Sequence, residues 1–410
     1  MPSRHLVTPG WPLARSLALL VSFVLIAGSF AFAAGLVSAL DVHPAPDRYN
    51  FAAWEARNLP AKWIYEFGEI FRHDRSVDEQ NADIIRFFDL TNQINRLEQQ
   101  VPADDPQLHA LYRERDRLEN RVEDTIEDRI GTVLKDLGIT RSLPLLGSVV
   151  WPPVDFEFTE SPRSLATSPR DKIELLGTEL LRDNLTLEQV EAIEEQTERE
   201  KGVSALAAPT SGIGAYPSIV DHLSSYRSAL DVVAHEWTHN YLFFRPLGFN
   251  YYASNDLRTM NETTADLVGS EVSAEVLRRW PLPAPPAPDS AAAPAPAPAQ
   301  QPAVDVGAEL RALRGEVDAL LAAGKVDEAE ALMDAKRDDL QARGVYIRKI
   351  NQAYFAFTNL YAGEAGSPGA TNPIGPKVDQ LRQKQESLAA FVRVMGSITS
   401  VEELDAALAR

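Results

Sequence analysis

The chain contains no cysteine in 410 residues. Disulfide cross-links, thiolate metal knuckles and a cysteine nucleophile are therefore excluded, although compartment is not fixed, since proteins outside the cytosol need no disulfides. Basic residues are also in short supply: 40 Lys and Arg stand against 59 Asp and Glu, a formal net charge of −19. That balance excludes a nucleic-acid surface and excludes adhesion to anionic lipid through a basic patch. The acids are spread over helical stretches, so there is no acidic tail of the partner-binding kind. No repeat with a solenoid-like period is present. Histidine is scarce, with seven in the whole chain, so any clustering of it carries information.

One long uncharged run is present. Arg4 and Arg15 precede "SLALLVSFVLIAGSFAFAAGLVSAL", residues 16–40, which has no ionisable side chain. It is long enough to cross a bilayer once as a helix, at about 1.5 Å per residue. Ala31-Phe32-Ala33 also suits signal cleavage, which would release a secreted chain, but the apolar run continues to Leu40, and an uncleaved anchor is preferred. The preceding arginines, with Asp41 and Asp47 following, direct the rest of the chain out of the cytoplasm.

The remaining sequence predicts an α+β protein, mostly helical. Residues 1–15 form a cytoplasmic N-terminus and 16–40 the anchor; 41–145 hold a juxtamembrane segment and a helical hairpin. In the juxtamembrane part, 48–73, aromatic residues form a helical face suited to an interface or a core. Over 77–137, apolar residues recur at steps of three and four on both sides of "VPADDPQ", whose prolines interrupt the helix; an antiparallel hairpin of coiled-coil character follows. Between 146 and 220, short β-type runs predict a small twisted sheet of about four strands. One acidic helix interrupts them, with Thr186 as N-cap. Helices are expected over 221–244 and 257–280, completing a catalytic unit at 146–280. Residues 281–303 are a Pro/Ala linker that cannot hold a regular helix. The C-terminal region, 304–410, predicts a helical pair over 305–343 turning at "AAGK", a third helix over 344–362, and terminal helices near 376–395 and 400–409. The Gly/Pro loop 363–376 lacks a Lys-Ser/Thr ending and a preceding strand, which excludes a phosphate cradle.

Chemistry concentrates in "DVVAHEWTHNYLFF", residues 231–244. Residues four apart on a helix share a face one turn apart, so His235 and His239 can reach one ion. Glu236 lies about 100° around the helix from His235, beside such an ion and placed to accept a proton from water. Trp237 reads as core packing. Downstream, "RTMNETTADLVGSEV" sets Glu262 and Asp266 four apart on the next helix. Glu262 can be the third protein ligand of a catalytic zinc, leaving a fourth place for water. Asp266 can accept the other ring N–H of His235 and fix its tautomer. Pro246 and Gly248 between the motifs suit a reversal of the chain.

His235-Glu236-Trp237-Thr238-His239 followed by Asn261-Glu262-Thr263-Thr264-Ala265-Asp266 resembles the gluzincin metallopeptidases, thermolysin-like enzymes in which a His-Glu-x-x-His helix packs on one carrying Asn-Glu-x-x-small-Asp. The resemblance covers about residues 203–280, and both motifs match in order and internal spacing. It implies Zn2+ on His235, His239 and Glu262, Glu236 as general base and Asp266 as supporting partner. It also implies a preceding small sheet whose edge strand holds an extended peptide or protein substrate. "SGIGAYPSIV", upstream, has no acidic residue, whereas gluzincin aminopeptidases hold the substrate's amine there with a carboxylate.

A membrane-anchored endopeptidase is the expected function. A zinc exopeptidase such as an aminopeptidase and a membrane-tethered helical scaffold with a non-catalytic peptidase unit are the alternatives; retention of Glu236 and all three ligands counts against the last. A hydrogen-bond donor for the tetrahedral oxyanion is required. Tyr251, Tyr252, His222, Tyr354 and Tyr361 are the candidates, and sequence does not choose among them.

Overall fold

The computed structural model describes residues 47–50, 54, 75–143, 147–283, 305–361 and 372–410. The expected anchor at 16–40, most of the aromatic segment 48–73 and nearly all of the Pro/Ala linker lie outside these. Among the described residues, no helix is long and apolar enough to cross a membrane. The architecture is α+β and mostly helical, with small sheets.

The expected hairpin is present. Helix α1 (Val77–Glu98) starts at Ser76, whose side chain accepts from the Glu79 amide while Glu79 caps in return. Helix α2 (Pro106–Asp136) starts at Asp105 with proline in the first turn. Ile84, Phe87, Leu118, Val122 and Ile126 share one buried core with the helices that follow. A short hairpin, β1 (Arg141–Leu143) and β2 (Gly147–Val149), leads to β3 (Phe156–Phe158), β4 (Arg163–Pro169) and β5 (Gly177–Leu181). Helix α3 (Leu187–Lys201) has the predicted Thr186 cap and ends at Gly202, whose φ of 65° suits a residue without a Cβ. Then come β6 (Val203–Pro209), β7 (Gly212–Ile213) and β8 (Ser218–Val220).

Instead of one four-stranded sheet there are two three-stranded sheets besides the β1–β2 hairpin. In one, β4 lies between β5 and β6, antiparallel to both. In the other, β8 lies between β3, parallel to it, and β7, antiparallel to it. Periodicity identifies extended runs but is blind to which of them pair. The outer edge of β3 is closed by side chains: the Phe156 amide donates to Glu127 (3.0 Å) and the Phe158 amide to Glu123 (2.7 Å), both on α2. The opposite edge, β7, is the one that approaches the histidine motif.

Helices α4 (Tyr226–Phe243), α5 (Pro246–Phe249) and α6 (Asn255–Arg279) follow. In the C-terminal region, α7 (Val306–Ala322) and α8 (Val326–Ala342) form the expected pair, turning at Gly324 with φ 73°. The helix expected over 344–362 is only α9 (Gln352–Thr358). The preceding residues run without regular structure because their side chains are bound to α3 and β6. Arg348 and Lys349 pair with Glu194 and Glu198 of α3, and Asn351 donates to the Ala205 carbonyl (2.9 Å) while its side chain caps α9. The helix expected over 376–395 is broken into α10 (Ile374–Lys384) and α11 (Leu388–Ser397), where Ser387 caps the second. The chain closes with α12 (Val401–Leu408).

Closure of the β3 edge is testable. Glu123 is 2% exposed, so Glu123→Ala leaves a buried amide unpaired and should cost about 1–3 kcal/mol in urea unfolding. An unchanged midpoint and slope would show that Glu123 does not hold that edge.

Candidate metal centre

Helices α4 and α6 are capped by Ser225 and Ser254, which fixes where each begins. They pack antiparallel, as their side-chain partners show: Asp231 meets Ser273, His235 meets Asp266, and His239 meets Asn261. Gly269 permits the approach, since a Cβ there would lie 2.7 Å from the Asp231 carbonyl oxygen. Glu262, Asp266, Gly269 and Ser273 thus form one stripe of α6 at helical spacing, facing Asp231, His235 and His239 of α4.

At one end of this seam three ligand atoms converge. His235 Nε2 and His239 Nε2 are 3.0 Å apart, and Glu262 Oε2 lies 3.4 and 3.5 Å from them. Two donors about 2.0–2.1 Å from a tetrahedral ion are separated by about 3.3 Å, so the triangle has the size such an ion needs. Glu262 Oε2 is buried and makes no hydrogen bond, a costly state for a carboxylate oxygen that a cation relieves. The three residues can therefore hold a metal ion.

The outer ring nitrogens are engaged as ligation requires. His235 Nδ1 lies 2.9 Å from Asp266 Oδ1, and His239 Nδ1 lies 2.8 Å from Asn261 Oδ1. When each Nδ1–H donates to its oxygen acceptor, Nε2 keeps its lone pair for the ion. Glu262 is oriented in its turn: the Tyr251 hydroxyl donates to Oε1, and Arg258 Nε donates to the Tyr251 oxygen at 3.1 Å. One carboxylate oxygen is thereby occupied and the other left to face the imidazoles.

Electrostatics agree with this division. Burial disfavours charge on Glu262, yet the two histidines hold its carboxyl well below the ordinary range. Burial likewise opposes charging of His235, but Asp266 and Glu262 raise it well above an ordinary imidazole; His239 is raised by Glu262 against the same burial. Glu236 behaves oppositely to Glu262. Its carboxyl is pushed up, chiefly by burial, with the histidines opposing.

Glu236 faces strand β7. A Cβ on Gly212 would lie 2.6 Å from Glu236 Oε1, and one on Gly214 would lie 2.8 Å from His239 Cβ. The edge strand passes so close to the motif that only glycine fits. Asn240 fastens the two parts, donating to the Ala215 carbonyl (2.8 Å) and lying 3.0 Å from Ser218 Oγ. Trp237 is core, with its indole N–H on the Pro152 carbonyl.

The five tyrosine and histidine candidates separate. Tyr251 is committed to Glu262. Tyr252 is 84% exposed and stacks edge-on against Tyr251. His222 is joined to the helical hairpin, its Nε2 2.8 Å from Glu119 of α2 and its ring stacked on Phe158. Tyr354 packs with Phe355 and the α7–α8 core, and burial pushes its hydroxyl up to about 12. Tyr361, just beyond α9, packs edge-on against Phe357 and is near enough to feel the charges of the cluster. Burial and the charges of Glu262, Glu236 and Asp266 hold its hydroxyl well above the ordinary phenol range, so it keeps its proton to donate.

Sequence names Asn261 in the motif without giving it a role, and does not single out Arg258, Gly212, Gly214 or Asn240. A signal existed for the glycines, because Gly212 lies in a strand and Gly214 just beyond it, a mark of close backbone approach. Arg258 sits one turn before Glu262, but nothing in its spacing points to Tyr251. Compared with protein-family models, curated proteins and solved structures, the chain matches none.

Two outcomes follow for metal binding. Tyr251→Phe frees Glu262 Oε1 from its donor and should weaken zinc affinity by about tenfold, read by chelator competition; unchanged affinity would remove Tyr251 from the ligand's support. Protons compete with the ion for both imidazoles, which Asp266 and Glu262 hold above the ordinary imidazole range against burial. Apparent affinity should therefore fall as pH is lowered through neutrality, by about tenfold per pH unit for each proton displaced. A flat profile between pH 6 and pH 8, by the same competition assay, would show that these imidazoles are not the ligands.

Proposed function

We propose that the chain is a zinc-dependent peptidase, anchored in the membrane by residues 16–40 with its catalytic unit on the extracytoplasmic side, and that it acts as an endopeptidase. The observation that carries the reading is the pairing of a three-donor triangle with a fourth side chain, Glu236, that adjoins it on the face toward β7. Two imidazoles and one carboxylate without thiolate suit zinc better than the oxygen-seeking calcium or magnesium. Three protein ligands leave a place for solvent, as in catalytic sites, whereas structural sites close all four.

The metal-site residues and β7 divide the work. When bound, zinc supplies Lewis acidity to the attacking water and to the scissile carbonyl. Glu236 accepts the water's proton and delivers it to the leaving amine; its raised pKa brings it nearer the working range of a base that must also act as an acid. Asp266 and Asn261 keep both imidazoles in the ligating tautomer. Tyr361 is the preferred oxyanion donor, since its hydroxyl stays protonated near the carboxylates. Strand β7 offers a sheet edge to which an extended peptide adds as a further strand, and Gly212 lets β7 itself lie against Glu236.

An exopeptidase reading draws on a cavity of about 630 Å³ beside Tyr251, lined by the carboxylates of Asp256 and of Glu174, the latter already paired with Lys172. The two readings separate in one assay. The zinc-loaded protein should cleave an N-terminally blocked, unstructured peptide at internal bonds, read by mass spectrometry. Glu236→Gln should retain metal and lose at least about a thousandfold in kcat. Full activity in that variant would sink the mechanism; cleavage only of unblocked peptides would replace endopeptidase by aminopeptidase.

A further inference from the structure

We propose that residues 244–252, together with Leu176, form a lipid-docking surface that seats on the bilayer beside the anchor and turns the cavity next to the metal centre toward the membrane. The proposal rests on the anchored reading of residues 16–40.

The surface is built by the turn between the two metal-bearing helices. Phe244 at the end of α4 is 46% exposed, and Phe249 and Tyr252 are 82% and 84% exposed. These are three of the nine exposed large apolar side chains among the described residues, gathered within nine positions. Leu176, 56% exposed, lines the cavity together with Tyr252 and extends the patch across it. The exposure is enforced by packing. Leu247 is fully buried, and a Cβ on Gly248 would lie 2.1 Å from the Leu242 carbonyl oxygen, so α5 is pressed inward there and Phe249 is thrust outward.

Charge distinguishes this stretch from the rest of the molecule. In a chain carrying −19, no Asp or Glu occurs between Glu236 and Asp256, and Arg245 lies within the turn, its guanidinium 4.3 Å from the centre of the Tyr241 ring. Within the turn itself, aromatic rings with one arginine and no acid are what a membrane–water interface accepts, and the carboxylates Glu174 and Asp256 lie in the wall of the adjoining cavity.

Covalent connection supplies the second, independent argument. Asp47 is fastened to the far end of β5, where its carbonyl accepts from the Arg182 amide (2.9 Å) and its carboxylate from the Arg182 guanidinium (3.2 Å). The uncharged run ends at Leu40. Seven residue steps reach at most about 25 Å, and β5 itself adds about 13 Å to Gly177 at the cavity wall. With the step across to β5 and on to Leu176 added, the rim stays within about 50 Å of the bilayer. At such a tether length the local concentration of lipid is high, and a loop of modest intrinsic partitioning suffices for docking. The substrate class that follows is extended peptide segments close to the membrane surface, rather than peptides in bulk solution.

The absence of cysteine makes the test direct, since any introduced thiol is unique. Full-length Phe249→Cys, Asp104→Cys at the turn of the α1–α2 hairpin, and Phe30→Cys in the uncharged run are each labelled with an environment-sensitive fluorophore and reconstituted in phosphatidylcholine vesicles. Zinc stoichiometry checks the fold of each variant. The label at 249 should lose about half of its emission to shallow spin-labelled lipid, while the label at 104 loses little. Equal, weak lipid quenching at 249 and 104 overturns the proposal, as does emission at 249 that changes with protein density but not with quencher lipid, which would mean a second copy on the patch. Quenching at 30 reports the anchor separately, so strong quenching at 30 with none at 249 leaves the anchor standing and removes the docking surface. Tyr252→Cys repeats the reading at a second exposed position.

Discussion

The antiparallel packing of α4 against α6 is the constraint from which the rest of the centre follows. Three pairs along the seam, Asp231 with Ser273, His235 with Asp266 and His239 with Asn261, set the register of one helix on the other. Only in that register does Glu262 arrive opposite both Nε2 atoms. A slip by one turn is about 5.4 Å, far more than a ligand triangle with edges near 3.0–3.5 Å tolerates. Gly269 removes the steric bar to this approach, and the seam buries polar groups only because they find one another.

Around that seam, the other elements act as supports. The hairpin α1–α2 closes the β3 edge with two carboxylates and so leaves β7 as the edge that meets Glu236. The α4–α5–α6 turn contributes Tyr251, which orients Glu262, and presents its aromatic outer face to solvent. The C-terminal region crosses the β4 sheet and brings Tyr361 near enough to feel the charges of the carboxylates, even though it lies beyond the Pro/Ala linker in sequence. Two carboxylates of one cluster are thereby driven apart in acidity. Glu262 faces two imidazoles and stays ionised, while Glu236, desolvated with less compensation, is raised. A ligand and a proton carrier need that difference.

Much of this was legible in sequence, for definite reasons. Helical spacing is local, so His235 with His239 and Glu262 with Asp266 could each be assigned to one face without a fold. The prolines of the turn separated α1 from α2, and the Thr186 cap placed the start of α3. What failed was whatever depended on distant partners. The single sheet became two, because strand pairing is decided between segments far apart. The helix expected over 344–362 shortened to Gln352–Thr358, since Arg348, Lys349 and Asn351 bind α3 and β6 rather than the next turn of a helix. His222, equal to the tyrosines as a sequence candidate, is drawn to Glu119 by a hairpin more than a hundred residues away in the chain.

By itself, the sequence determined the donor types, the faces they occupy on their helices, the absence of thiol chemistry and the single uncharged run near the N-terminus. Those properties are written in side-chain identity and in spacings shorter than two helical turns. The tertiary structure alone decided that the two helical faces oppose each other in a ligating register, that β7 rather than β3 is the open edge, and that Tyr361 feels the charges of the centre while Tyr354 is packed away. Each of these depends on long-range packing and on the loss of solvent around buried charges, and neither is a property of any short stretch of chain.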